Sequence, residues 1–265
     1  MKKNPLGNHS TFTASVAVIL SAILCAAAQS LLGADITNAI PKPHWESVAA
    51  ADLTLTRGNS QSFLATLSLN SVRKWTDNEI LLGANAGYGD TTTKDATGNK
   101  TTTKNQDYLK GFSQWNHLFT ERLYAGLRLE GLHDDIADIN YRFTVSPLAG
   151  YYLLKQTNTF LSAEVGPSFV FQQLGEKTDS YIGFRAGERF EHKFKRGAKV
   201  WETLEWIPQV DKFENWIMNA EVGISAPVTK SVDVRLVGQD SYNNRPATGR
   251  VKNDLKLMAG IGYRF

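Results

Sequence analysis

Leu255-Lys256-Leu257-Met258-Ala259-Gly260-Ile261-Gly262-Tyr263-Arg264-Phe265, the last eleven residues, alternate in character from end to end. Leu255, Leu257, Ala259, Ile261, Tyr263 and Phe265 share one face. Lys256, Met258, Gly260, Gly262 and Arg264 share the other. A period of two over this length is a strand with unlike faces. A soluble sandwich hides its apolar face in a core, whereas a membrane barrel turns that face to lipid and keeps Lys, Arg and Gly in its lumen.

The same theme recurs upstream. About ten residues of alternation followed by a turn give twelve segments, near 45–56, 61–74, 79–90, 107–118, 123–133, 141–154, 159–172, 180–193, 199–209, 216–227, 231–242 and 254–265. In the fifth, Leu123, Ala125, Leu127 and Leu129 oppose Tyr124, Gly126, Arg128 and Glu130. In the eighth, Ile182, Phe184, Ala186 and Phe190 oppose Gly183, Arg185, Gly187, Arg189 and Glu191, with Glu188 an exception on the apolar face. The ninth is undecided, because Glu202 and Glu205 fall on opposite parities. The predicted fold is all-β: a transmembrane antiparallel up-and-down β-barrel of about 12 strands.

The connections test this independently. With a periplasmic C-terminus, the links near 75–78, 119–122, 155–158, 194–198 and 228–230 are periplasmic, and all are short. The alternate links include the two longest, 91–106 and 243–253. Short periplasmic turns with longer external loops mark bacterial barrels, and an even strand count brings both termini to one side. A sandwich has no reason to sort its loops by parity. Aromatics near the segment ends agree. Trp45, Trp75, Trp115, Phe119, Tyr152, Phe194, Trp201 and Tyr263 map near the periplasmic side. Tyr88, Tyr108, Tyr141, Phe171, Tyr181, Trp216 and Tyr242 map near the external side, as two headgroup-level girdles would.

Two features run against a regular sheet. Pro147 and Pro167 sit mid-strand, where a closed sheet cannot spare a donor. They are nearly symmetric about the 155–158 turn, which predicts a paired bulge. The stretch Thr91–Asn105 is low in complexity and lacks an apolar anchor, so it reads as a mobile, solvated external loop.

Ahead of the barrel, Lys2 and Lys3 precede an apolar run from Val16 to Leu24 and the small residues Ala26-Ala27-Ala28. The run is too short to span a bilayer as a helix, so residues 1–28 read as a secretory signal peptide. Residues 29–44 form an irregular N-terminal lead, and 45–265 the barrel. Cys25, the single cysteine, lies in the signal, which leaves the mature chain no disulfide and no thiol nucleophile. Of 29 basic and 26 acidic residues, two basic and no acidic ones belong to the signal. A mature balance near neutrality, with no basic face, excludes a nucleic-acid binder.

Several of these features resemble one family, the YdiY-like salt-induced outer-membrane proteins, a domain of unknown function. The carrying residues are Trp45 and Ala49-Ala50-Ala51-Asp52-Leu53-Thr54-Leu55-Thr56-Arg57-Gly58-Asn59-Ser60, similar to the family's opening strand and turn. Further on come the acidic loop Asp135–Asn140, Tyr141-Arg142 and Gly150-Tyr151-Tyr152, where Ala149 departs from the commoner glycine. The resemblance covers residues 45–265. It implies an outer-membrane location and a link to salt or osmotic stress, and it implies no catalytic residue.

Barrel hydrolases use a Ser–His pair near the external rim. His44, His117 and His192 map to the periplasmic side. Only His133 is external, beside Asp134 and Asp135, which makes a lipid or peptide hydrolase centred there the alternative reading. Carboxylates alone favour hard cations held by six or more oxygens. No nucleophile elbow or zinc helix is present. The expectation is a non-enzyme without metal or cofactor. The lumen face carries the informative charges. Arg128, Glu130, Arg142, Glu164, Arg185, Arg189, Glu221, Arg235 and Lys256 are expected to line a pore, with Glu191, Asp233 and Arg264 on the same face. Opposite charges in a narrow lumen either pair and plug it or line a wet pore, and twelve strands lie between a filled and an open interior. The expected role is structural or that of a narrow channel. The expected partners are outer-membrane lipid and the barrel assembly machinery, the latter through the terminal aromatic Phe265.

Overall fold

A computed structural model describes residues 45–56, 60–94, 97 and 99–265. The expected signal peptide, the N-terminal lead and the turn at 57–59 lie outside the described residues. The strands run in order as β1 (Trp45–Thr56), β2 (Ser60–Lys74), β3 (Asn78–Lys94), β4 (Lys100–Leu118), β5 (Leu123–Asp134) and β6 (Ile139–Lys155). They continue as β7 (Thr159–Leu174), β8 (Lys177–Lys193), β9 (Lys199–Gln209), β10 (Lys212–Pro227), β11 (Val232–Asn243) and β12 (Asn253–Arg264). Each is antiparallel to its neighbours in sequence, and β12 pairs with β1 to close the barrel. Closure, made between Val48–Asp52 and Gly260–Arg264, joins the two ends of the sheet, which is what lets strands cross a bilayer.

The alternation sorts the side chains as the sequence requires. Leu67, Leu109, Ile182, Val234, Leu257 and Ile261 stand exposed on the outer wall. Asp52, Thr66, Gln114, Asn116, Ser168 and Arg185 are buried on the inner one. A protein that is apolar outside and polar inside is stable only where its surroundings are hydrocarbon. The chain is an outer-membrane β-barrel.

The periplasmic turns are as short as expected. The external connections are shorter than expected, because the strands themselves continue outward. Thr91–Lys94 pairs with Lys100–Thr103 in register, Thr91 opposite Thr103, Thr92 opposite Thr102 and Thr93 opposite Thr101. The Thr92 and Thr102 hydroxyls lie 2.8 Å apart. The segment expected to be a mobile loop is therefore mostly a protruding hairpin. Facing β-branched threonines suit a ladder even without an apolar anchor.

The prolines also differ from expectation. Val145 opposes Phe169 and Ala149 opposes Val165, so the register is the same on either side of the prolines and no bulge forms there. Pro147 and Pro167 face each other with outward rings, and the β6–β7 ladder simply lapses between them. Pro147 still pairs with Leu127, and Pro167 with Phe184. Inside the lumen, the Ser146 and Ser168 hydroxyls meet at 2.9 Å across the lapse.

The girdles are real but thinner than the sequence suggested. Trp45, Trp75, Trp115, Phe119, Phe194 and Tyr263 are exposed at the periplasmic end, and Tyr88, Tyr141 and Phe171 at the external end. On the outer wall Trp216 stacks on Tyr242, with centroids 4.5 Å apart. Tyr108, Tyr152, Tyr181 and Trp201 instead have lumen parity and turn inward. Tyr108 donates to Asn85, Tyr152 to Glu79 and Trp201 to Glu221, polar partners that membrane hydrocarbon cannot offer.

Candidate functional site

The lumen is crossed by one continuous polar network. Arg185 on β8 donates to Glu205 on β9 (2.6 Å) and to Glu164 on β7 (2.9 Å). Gln114 on β4 donates to Glu164 at 2.7 Å, and Arg128 on β5 donates to Gln114 at 3.3 Å. The Arg128 guanidinium closes the ring by approaching Glu205 to 3.7 Å. Glu130 joins through Arg128 (2.8 Å) and Lys110 (3.2 Å), and Tyr124 donates to Glu164 at 2.8 Å. β5 and β9 are four strands apart, so Arg128 and Glu205 must both extend deep into the lumen to meet. Lys110, Arg128 and Arg185 offset Glu130, Glu164 and Glu205 charge for charge. Pairing of this kind is what lets ions stay buried at tolerable cost. A cavity of only about 10 Å³ remains among Arg128, Glu130, Thr144, Ser146, Glu205 and Ile207.

A second group latches the seam. Arg235 on β11 reaches past β12 to Asp52 on β1, with hydrogen bonds of 2.9 and 2.8 Å. Thr66 donates to the same carboxylate at 3.2 Å. Elsewhere Glu221 accepts from Trp201 and Gln239, each at 2.7 Å. Tyr152 donates to Glu79.

Three cations lack such partners. Among the described residues, no carboxylate lies within 4 Å of Arg142, Arg189 or Lys256. Arg142 donates through Nε to Gln172 (2.8 Å), while its Nη2 finds no protein acceptor. Arg189 lies over the Phe160 ring at 4.7 Å with its Nε unpartnered. Lys256 lies over Tyr108 at 3.9 Å.

Thus all nine residues expected on the lumen face do face it. Arg128, Glu130, Glu164 and Arg185 come together. Arg142, Arg189, Glu221, Arg235 and Lys256 stand apart from that ring. The sequence leaves Glu205 undecided, puts Tyr124 on the inner face without a role, and does not single out Gln114, Glu79 or Asp52 as lumen groups. Parity relative to the inward Trp201 would have found Glu205, whereas Glu202 shares the outward parity of Glu188. His133 points outward at the external rim. Its Nε2 lies 3.1 Å from Asp135 and its Nδ1 2.8 Å from the Asn140 carbonyl. Among the described residues no serine or threonine hydroxyl is hydrogen-bonded to them. Among the described residues no cluster of His, Cys, Asp or Glu is arranged to hold a metal ion.

A family model described as "Protein of unknown function, DUF481" matches residues 49–265. No curated protein sequence matches the chain. Among solved structures, the chain is similar to the NanC porin at 8% identity, TM-score 0.49, covering 83% of this chain and 100% of that one. It is similar to an outer membrane channel from Pseudomonas putida F1 at 11% identity, TM-score 0.48, covering 88% and 100%. It is also similar to the translocator domain of the autotransporter NalP from Neisseria meningitidis at 13% identity, TM-score 0.45, covering 96% and 98%.

Proposed function

The chain belongs to the DUF481 family, whose function is unknown, and on that footing we propose that it is a narrow outer-membrane channel for small polar solutes. The observation that carries this reading is a set of inward-facing polar atoms that the protein itself leaves without partners. Ser68 Oγ, Asn116 Nδ2, Arg142 Nη2 and Arg189 Nε face inward without a protein partner. Buried polar atoms of this kind are satisfied by water, because leaving them dry costs about 1–3 kcal/mol each. A purely structural post gains nothing from a hydrated interior, whereas a conduit needs one. The Arg128–Gln114–Glu164–Arg185–Glu205 ring is the constriction. Arg142 and Lys256 would line one side of it and Arg189 another, with Glu221 and Arg235 along the remaining wall.

Planar-bilayer recording tests this. The purified barrel gives small discrete conductance steps, and Arg185→Gln, which frees Glu164 and Glu205 to swing aside, alters their size. Silence across protein concentrations overturns the reading. A link to salt or osmotic stress is supported only by the resemblance of residues 45–60 and 135–152. Transcript abundance after a sodium chloride upshift tests it, and unchanged abundance removes it. We also propose Phe265 as the element that assembly machinery recognises. It is exposed, stacked near Tyr263, and tied to Ser47 by two backbone bonds of 3.0 and 3.2 Å.

A further inference from the structure

The β1–β12 seam is closed over only part of its length. Val48 to Asp52 pair with Arg264 to Gly260, and the ladder stops there. β1 runs on to Thr56 paired only with β2, and β12 begins at Asn253 paired only with β11. Continued in register, Leu53 would oppose Ala259 and Leu55 would oppose Leu257. Ser47 and Phe265 exchange both backbone bonds. In an antiparallel ladder every second pair does the same, so these two pairs would carry the missing bonds. The split lies in the external half of the wall. Unpaired backbone groups facing hydrocarbon cost several kcal/mol each, so something polar must reach them from the lumen side.

Two further observations say what meets there. On the outer wall, immediately below the split, an apolar groove of about 530 Å³ crosses the seam. It is lined by Ala49 and Ala51 of β1, Ile261 and Tyr263 of β12, and Leu67 and Ala86 beyond. That volume lies within the range of small-ligand sites. On the inner wall, Lys256 sits in the unpaired stretch of β12. It lies over Tyr108, and the Asp134 and Asp254 carboxylates act on it only from beyond ion-pair distance. Two residues along, the Met258 sulfur contacts the Thr66 hydroxyl at 3.5 Å, lying across the inner side of the seam rather than sealing it with backbone.

We propose that the upper β1–β12 seam is a lateral portal for an anionic single-chain amphiphile, its carboxylate or phosphate head held at Lys256 and its hydrocarbon chain passing through the split into the membrane. Such a molecule matches both sides of the opening at once: a charged head for the hydrated lumen and an acyl chain for the groove. A neutral solute uses neither feature. The Asp52–Arg235 latch and the five paired residues below it keep the lower seam shut while the upper part admits the chain. The portal depends on the barrel and its wet lumen, not on solute crossing the whole lumen.

The test uses the mature barrel in phosphatidylcholine vesicles with a long-chain fatty acid carrying a chain diazirine, followed by irradiation and mass spectrometry. The cysteine-free mature sequence allows a lock, Leu53→Cys with Ala259→Cys, closed by oxidation or a short bis-thiol reagent. Labelling of inward Thr54 and Met258 is expected in the reduced form and at least tenfold lower in the locked form. Outward Leu67 and Leu109 label equally in both. Lys256→Gln lowers inward labelling by the fatty acid to the level seen with a monoacylglycerol of equal chain length. A lysophosphatidic acid probe, run beside it, shows whether phosphate serves as well as carboxylate. Labels confined to outward residues, inward labels that survive the lock, or a disulfide linking two chains through these cysteines would each overturn the proposal. The last would make the seam a strand-exchange surface. Lock-sensitive labelling in a barrel without conductance would leave the portal standing and sink only the channel.

Discussion

Arg235 and Asp52 sit two strands apart and are joined by a bidentate ion pair that passes inside Gly260 of the intervening strand β12. The missing side chain is what makes the pair possible. A Cβ at position 260 would fall 2.2 Å from the Ala51 carbonyl oxygen and 2.3 Å from Asp52 Oδ1. Backbone on one side and a latched carboxylate on the other leave no room to yield. Gly260→Ala is therefore expected to destabilise the barrel by about 1–3 kcal/mol, the usual cost of overpacking. Gly262→Ala, whose nearest neighbour would be 3.5 Å away, should be near neutral. Unfolding followed by heat-modifiable migration on unboiled gels compares the two, and equal loss in both would refute the clash.

The latch itself predicts non-additivity. Its side chains are almost fully removed from solvent. Arg235→Met strands a buried carboxylate and should cost about 3–5 kcal/mol, whereas Arg235→Met with Asp52→Leu should recover much of that. A double-mutant cycle on denaturant midpoints reads the difference. A double mutant no better than the single would mean the pair is not desolvated as the geometry requires.

What was legible in the sequence and what was not divides along a physical line. Alternation is local, so the inward direction of Arg128, Arg185 and Lys256 follows from neighbours one and two residues away. Which inward groups touch depends on strand tilt and side-chain reach across the lumen. That is why the Arg128–Glu205 approach between β5 and β9 had no signature in sequence. The Thr91–Thr103 segment was misread because apolar content was used as the test of order, while facing threonines order a hairpin through β-branching and cross-strand bonds. Tyr152 and Trp201 read as girdle residues from their position along the strand, and position says nothing of direction: both turn inward, to Glu79 and Glu221.

The lapse between Pro147 and Pro167 makes the inner wall there dependent on side chains. With no ladder bond across the lapse, the Ser146–Ser168 hydroxyl contact is the direct polar tie. Ser146→Ala should cost about 1 kcal/mol or somewhat more, since the Ser168 hydroxyl is left buried and unpaired. Ser146→Ala with Ser168→Ala should cost no more than the single change. Thermal unfolding of the three proteins tests this.

At the external rim, Lys104 donates to Asp107 at 2.5 Å, with Asp135 3.6 Å away. The hydrogen bond from Lys104 holds the Asp107 carboxyl below its usual range and pushes the Lys104 ammonium above its own. A carboxylate whose folded pKa is depressed contributes order above its unfolded value, near 4, and loses it as pH falls through the folded value. Hydrogen exchange at 101–107 should thus be flat from pH 7 to 5 and accelerate relative to intrinsic rates as the medium becomes more acidic than pH 4. Asp107→Asn should remove that acid-dependent step, and a step that survives in it would assign the effect elsewhere.

Phe265 occupies the foot of the same seam that splits above. Its ring is on the lipid side, and its backbone exchanges both bonds with Ser47. Removing it deletes two hydrogen bonds at an exposed end, where fraying costs little, while the pairing of Val48–Asp52 with Gly260–Arg264 is untouched. Deletion of Phe265 should therefore barely change the unfolding midpoint of barrel refolded in detergent, yet lower the amount inserted in cells several-fold. Phe265→Tyr, which keeps an amphipathic aromatic at headgroup level, should restore insertion, and Phe265→Ala should not. If the deletion lowered stability and insertion in parallel, the terminal residue would be acting through the seam. If it lowered neither, recognition by the assembly machinery would have to reside in Tyr263, Ile261 or further upstream.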